Sequence, residues 1–339
     1  QQHRWKRFLP STGYRYCLCC RFYSLPTPLG CVARTTFGPP LSQPLLRHWE
    51  PAASISCSIW PQRSADATIQ GNQMTDYADI EVTQTGYVAT VEIQRPPANF
   101  FDHSLISQIA DAFDAADENP DCRAIVLASQ GKHFCAGANF GSGQDDDSGS
   151  SEFTEEGFRN TTGKLYREAA RLFGNRTPIV GAIQGAAIGG GLGLSLVPDF
   201  RVASPAARFG ANFVKLGIHQ GFGISVTLPR LIGEQQAALM LLTGRRVSGE
   251  EALAMGLVDV LTDADSLREA AMRLATEIAE HAPLAVSSVR ATLRQELAAE
   301  VAKATEHELS EQLWLRATAD AQEGIRAVAE RRPGNFTAS

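Results

Sequence analysis

The sequence is short of cysteine where a cysteine framework would need it. Of seven cysteines in 339 residues, five (Cys17, Cys19, Cys20, Cys31 and Cys57) precede residue 60, and only Cys122 and Cys135 remain for the rest. The body therefore has no disulfide framework. Cys17 and Cys20 have C-x-x-C spacing, but no second pair follows at zinc-finger distance, which argues against a structural zinc site. No apolar run reaches the roughly 18–20 residues that cross a bilayer. The richest stretch, Ile183 to Val197, is broken by glycine and stops at Pro198-Asp199. Basic charge is scarce where it would matter. Of 31 Lys/Arg, eight lie before Met74, with only Glu50 and Asp66 among the acids there, so the body holds 23 basic against 35 acidic residues. A body this acidic offers no broad basic face to nucleic acid.

Common nucleotide and nucleophile motifs are also missing. A dinucleotide G-x-G-x-x-G fails at Leu194 and Leu196 when started from Gly189 or Gly191, and at Val226 when started from Gly221. A G-x-S-x-G elbow fails at Val197 for Ser195 and at Thr227 for Ser225. There is no P-loop lysine after either glycine cluster.

What is present divides at Met74. Residues 1–73 are rich in Pro, Ser, Cys and Arg, without helical or strand period, and read as a disordered or misassigned extension. The rival reading is a targeting segment. The two readings imply a cytoplasmic protein starting at Met74, or a mitochondrial one. Thr337-Ala338-Ser339 is not a peroxisomal address.

From Ile80 onward the pattern is α/β. Ile80–Thr83 and Val88–Ile93 alternate as strands around Thr85-Gly86. Asp102 is placed to cap a helix running to about Glu118, with Leu105, Ile109, Ala112 and Phe113 on one face. Ala124–Ala128 and Ile179–Ile183 read as short buried strands. Residues 141–157 carry glycine, serine and the triplet Asp145-Asp146-Asp147, a solvated acidic loop. After about residue 234 the chain reads as helical to 332, apart from Leu257–Val260.

Two segments place glycine after a buried strand: Lys132-His133-Phe134-Cys135-Ala136-Gly137-Ala138-Asn139, and Gly185 through Gly193. Glycine permits sharp turns and close ligand approach. A helix opening within Gly189–Gly193 would point free N–H groups at a ligand. By themselves these glycines are equally consistent with close helix–strand packing.

Together the segments resemble the crotonase (enoyl-CoA hydratase/isomerase) superfamily over about residues 76–336. Phe134-Cys135-Ala136-Gly137-Ala138-Asn139 is similar to its F-x-A-G-A-D segment, and Gly185 through Asp199 to its G-x-A-x-G-G-G…D segment. Further matches are Arg208-Phe209-Gly210 with Leu216-Gly217, Leu242-Thr243-Gly244-Arg245-Arg246 with Ala252 and Gly256-Leu257-Val258, and Asp320–Gly324 with Arg331-Arg332-Pro333 and Phe336. The resemblance implies a ββα spiral core over 74–264, a helical C-terminal subdomain over 265–339, and a homotrimer or dimer of trimers. It implies an oxyanion hole from the backbone N–H groups of Ala138 and Gly190, and coenzyme A as part of the substrate with no further cofactor and no metal. Coenzyme A is expected along Ala98, Lys132 and Ala136, with Lys132, Arg331 or Arg332 toward phosphate. Gly137, Gly189, Phe213, Gln220 and Phe222 are expected at the substrate.

The family's two hydratase glutamates are not where its pattern puts them. Those positions read Gly193 and Phe213, and neither residue transfers a proton. His219, in Gly217-Ile218-His219-Gln220-Gly221, is the candidate replacement acid/base; Asn139 and Asn212 are candidates to orient water, and Asp199 reads as a structural turn or cap. Three functions stay open: an acyl-CoA lyase, isomerase or hydrolase; a non-catalytic acyl-CoA-binding homologue; and a hydrolase of a carbon–carbon or thioester bond on the same fold.

Overall fold

The computed structural model describes residues 76–138 and 155–339. The expectations for residues 1–73, for Cys17 and Cys20, for Asn139 and for Asp145–Asp147 fall outside them. Strand β1 (Ile80–Thr85) pairs antiparallel with β2 (Val88–Ile93) across the Gly86 turn. Helix α1 (His103–Glu118) follows. Its cap is the expected one: Asp102 Oδ1 accepts from Leu105 N at 2.9 Å. Arg95 bridges that aspartate to Asp79, at 2.7 and 2.6 Å, and so anchors the helix entry to β1.

Next come β3 (Ala124–Ser129), α2 (Glu155–Leu172), β4 (Ile179–Ile183), β5 (Ala186–Ile188), α3 (Gly190–Ser195), β6 (Phe200–Ala203) and β7 (Arg208–Gly210). After a 3-10 turn over Asn212–Leu216 come α4 (Ile224–Thr243), β8 (Arg246–Ser248), α5 (Gly249–Ala254) and β9 (Val260–Leu261). Helices α6 (Leu267–Ala279), α7 (Pro283–Leu293), α8 (Leu297–Leu315) and α9 (Ala319–Ala329) complete the chain. The main sheet runs β1-β2-β3-β4-β6-β9, parallel from β2 onward; a smaller sheet runs β5-β7-β8. Two consecutive strands precede each of α1, α3 and α4, as the expected ββα spiral requires.

Both faces of the main sheet are covered, which is why its inner strands read as unbroken apolar runs. Alternate residues serve different layers. Ile125, Leu127, Ile179 and Ile183 pack with α1 and α3. Ala124, Val126, Ala128, Val180 and Ala182 are smaller and receive the alanine-rich face of α6, Ala270, Ala271, Ala275 and Ala279. The helical stretch begins at Ile224, ten residues before the sequence suggested; the expected start falls beside a non-helical Gly233 (φ 77°, ψ 159°) that interrupts α4. The short strand β8 was not expected; it exists through its antiparallel pairing with β7.

At the N-terminal ends of β4 and β6, Asp199 accepts from Ile179 N at 2.8 Å and pairs with Arg290 of α7 and with Arg294 just past its end, each at 2.8 Å. The aspartate is thus structural, as expected. Burial acts to raise its pKa, but Arg290, Arg294 and the Ile179 amide outweigh burial and hold it below the usual carboxylate value. Removing one partner strands buried charge, so Asp199→Ala is expected to lower the unfolding free energy by about 3–5 kcal/mol. The contribution is complete above the unfolded-state carboxyl value of about 4 and fades as pH falls through the lower folded value. Urea melts of wild type and variant should therefore converge in acid; a constant gap down to low pH would contradict the assignment.

Candidate functional site

The two glycine segments meet. Cys135 N donates to Ala186 O at 2.9 Å and Ile188 N to Cys135 O at 3.0 Å, a parallel bridge centred on Cys135 and Ala187. The turns that follow face each other: a Cβ on Gly137 would lie 2.8 Å from Ile188 O and 3.8 Å from Gly190 N. Gly137 has φ 93°, a region open to glycine and strained for other residues.

The direction of the amides follows from peptide planarity. In a trans peptide the C=O and the next N–H point opposite ways. Gly137 O accepts from Phe101 N at 3.1 Å, so the Ala138 N–H points away from Phe101. Gly189 O accepts from Leu192 N and Gly193 N, at 3.0 and 3.3 Å, so the Gly190 N–H points out of the start of α3. Among the described residues neither N–H donates to a backbone carbonyl. Gly189 N is itself tied to Gly210 O at 2.8 Å, fixing this turn to the small sheet.

Asn99 holds the other side. It is fully buried, with φ 49°. Its Oδ1 accepts from Arg95 N at 3.1 Å, and its Nδ2 donates to Gln130 O at 2.8 Å and His133 O at 2.7 Å. This ties the 95–101 segment to the loop before Phe134, and Ala136 N donates to Ala98 O at 2.9 Å. Ala98 and Ala136 are thus adjacent, and Lys132 is exposed on the same loop. Arg332, by contrast, is ion-paired with Glu323 and Glu330 and holds the tail to α9.

The apolar walls come from three phenylalanines. A Cβ on Gly190 would overlap the Phe101 ring, so that ring lies against the glycine. Phe101 and Phe222 pack with centroids 5.5 Å apart. Phe213 Cζ would lie 3.9 Å, and Asn212 Oδ1 3.4 Å, from a Cβ on Gly189. At Gly193 a Cβ would lie 2.7 Å from both Cβ and Cδ1 of Phe222. The space beside residue 193 is therefore occupied by a ring that is itself 1% exposed. A carboxylate cannot be installed at 193 without displacing it.

His219 and Gln220 share the Phe222 loop but turn elsewhere. His219 Nδ1 lies 2.8 Å from Gln220 O. A carbonyl only accepts, so Nδ1 is the donor in this contact and, in the neutral ring, Nε2 is the nitrogen left with a lone pair. The His219 ring faces His307 of α8, centroids 5.9 Å apart. Gln220 Nε2 donates to Ser225 Oγ at 3.0 Å. Ala136–Ala138, Gly189, Gly190, Phe213 and Phe222 are thus brought together, whereas the contacts of His219 run toward α8. The two thiols are inert structural groups: burial pushes Cys122 up to about 11 and Cys135 up to about 12. Among the described residues no His/Cys/Asp/Glu group is clustered to hold a metal, and no helix is long and apolar enough to cross a membrane.

Comparison with known proteins agrees with this architecture. The enoyl-CoA hydratase/isomerase family model matches residues 83–339. The crystal structure of an enoyl-CoA hydratase/isomerase from Pseudoalteromonas atlantica T6c superposes with a TM-score of 0.67 at 27% identity, covering 76% of this chain and all of that one. The 2,3-dehydroadipyl-CoA hydratase of Escherichia coli K12 is 30% identical over 262 residues, 76% of this chain and 98% of its own. The crotonyl-CoA hydratase of Syntrophomonas wolfei is 30% identical over 262 residues, 77% of this chain and 98% of its own. The fold is of the crotonase class. The chain belongs to the enoyl-CoA hydratase/isomerase family.

The close approach at Gly193 sets a stability test. Gly193→Ala is expected to cost about 1–3 kcal/mol through overpacking against Phe222. An unchanged melting temperature would mean that the Phe222 loop retreats freely.

Proposed function

We propose that this chain is an enzyme that binds an acyl-CoA thioester and stabilises negative charge on the thioester oxygen with the N–H groups of Ala138 and Gly190. The observation that carries this reading is the convergence of the two turns, with both N–H groups directed away from the backbone that holds them. An enolate or tetrahedral intermediate concentrates charge on one oxygen. Fixed amides meet that charge without reorganising, and one such donor is worth roughly 3–4 kcal/mol of barrier. Relatives named as hydratases of CoA thioesters support the ligand class.

The acyl group would lie among Phe213, Phe222 and Phe101, an apolar setting suited to an aliphatic or aromatic chain. Coenzyme A would run past Ala98 and Ala136, with exposed Lys132 toward its phosphates. Glycine at 193 and phenylalanine at 213 leave the proton transfers to another group. His219, through Nε2, is the candidate, in a lyase, isomerase or hydrolase reaction. A homotrimer or dimer of trimers accompanies this reading. The ring that fills the space beside Gly193 favours a second one: an acyl-CoA-binding protein that does not turn its ligand over.

A panel of enoyl-, acyl- and β-keto-CoA thioesters separates the two. Turnover of at least one member is expected, falling about 10²-fold or more in His219→Ala and unchanged in His281→Ala, in the turn after α6. Tight binding without turnover across the panel would establish the second reading. Failure to bind any CoA ester would remove both.

A further inference from the structure

Helix α8 turns a polar face inward. Thr305, Glu308 and Gln312 are all buried, at helical spacing. Glu308, at 0% exposure, has both carboxylate oxygens occupied: Oε2 accepts from Gly223 N at 2.8 Å and Oε1 from Ser225 N at 3.0 Å. One turn on, Gln312 Nε2 donates to His219 O at 2.8 Å, and its Oε1 accepts from Tyr166 of α2 at 3.0 Å. The loop is thus pinned by α8 at residues 219, 223 and 225.

Between those pins sits Phe222, with φ 63°. A bulky side chain in the left-handed region persists only where surrounding contacts over-determine it. Glu308 supplies such contacts immediately after Phe222 in the chain. The ring is then delivered against Gly193 and Phe101, and Phe101 against Gly190.

We propose that Glu308 is a positioning residue for the acyl site: it holds Phe222 in place and, through the Phe222–Phe101 pair, fixes the ledge that carries the Gly190 amide. The proposal rests on the reading of Ala138 and Gly190 as donors to a thioester oxygen. A glutamine at 308 has one acceptor oxygen for two N–H groups and turns its own NH2 toward the second. Glu308→Gln therefore loosens the loop while changing little volume.

Acetoacetyl-CoA is the probe, because its enolate has a distinct ultraviolet absorbance and is the form an oxygen site of this kind favours. Wild type is expected to bind it with an enriched enolate signal. Glu308→Gln and Phe222→Leu should each weaken that binding and signal on the order of 10-fold, as small misplacements at a reacting centre do. Affinity for free coenzyme A should stay within about twofold, since it makes no use of the oxygen site. If Glu308 acts through Phe222, the double variant will be no weaker than the worse single one. Asp117→Ala removes the carboxylate that holds Arg176 N and Thr177 N before β4, and serves as the destabilised control that should keep its enolate.

Phe222→Leu with a wild-type enolate signal would overturn the proposal by itself, whether or not Glu308→Gln folds. So would additive losses of about 100-fold in the double variant, or an equal loss in Asp117→Ala. Wild type that shows no enolate would remove the oxygen site itself, and the proposal with it.

Discussion

Two trans peptide planes carry the proposed oxygen site. In each, a captured carbonyl aims the following amide: Gly137 O is held by Phe101 N, and Gly189 O by the first turn of α3. The planes can face each other only because Cys135 and Ala187 are bridged in parallel and because Gly137 leaves room for Ile188 O. The main sheet supplies the stiffness behind them. Strands β3 and β4 are parallel neighbours, and the two glycine segments continue directly from their C-terminal ends. Ligands of open α/β sheets gather at such ends for the same reason.

A site made from main chain is indifferent to much of the side-chain sequence around it. Replacing a side chain at 193 or 213 alters the proton-transfer groups and the apolar wall, yet leaves both N–H groups where the hydrogen-bond ladder puts them. Family membership therefore speaks more directly to ligand chemistry than to reaction. The packing at Gly193 sharpens this. At Gly193 there is no open volume for a larger side chain, because Phe222 occupies it and is packed in turn against Phe101.

Much of the fold was legible in the sequence wherever a local rule decides it. Alternation placed β1 and β2, the Asp102 cap placed α1 at its first turn, and unbroken apolar runs marked β3 and β4. The glycines announced close approach but not what they approach: nothing local says that Gly193 abuts Phe222. Strand β8 is only three residues long and exists by pairing with β7, which no period within it reveals. The start of α4 lies before Pro229 and a non-helical Gly233, and the expected start coincides with the later of the two. Asn99, Glu308 and Gln312 were illegible as site residues because their partners lie 31, 85 and 93 positions away. In sequence, the face formed by Thr305, Glu308 and Gln312 looks like solvated helix; only the fold turns it inward.

Two carboxylates, Glu308 beside the site and Asp199 in its foundation, differ in what surrounds them, and the difference fits their duties. Asp199 meets two guanidinium groups, which hold its pKa down and make it a fixed charge that ties α7 to the sheet. Burial pushes the Glu308 carboxyl up, opposed by the Ser225 and Gly223 groups that donate to it and by the nearby His219. Its main support is therefore dipolar: N–H groups at the start of α4, in the helical segment that precedes the break at Gly233. Amide dipoles have direction, as a cation's field does not. A carboxylate held by them fixes the orientation of the chain that carries the N–H groups. That is the property needed to keep Phe222 in an unfavourable backbone conformation, and it makes α8 a part of the site rather than a cover laid over it.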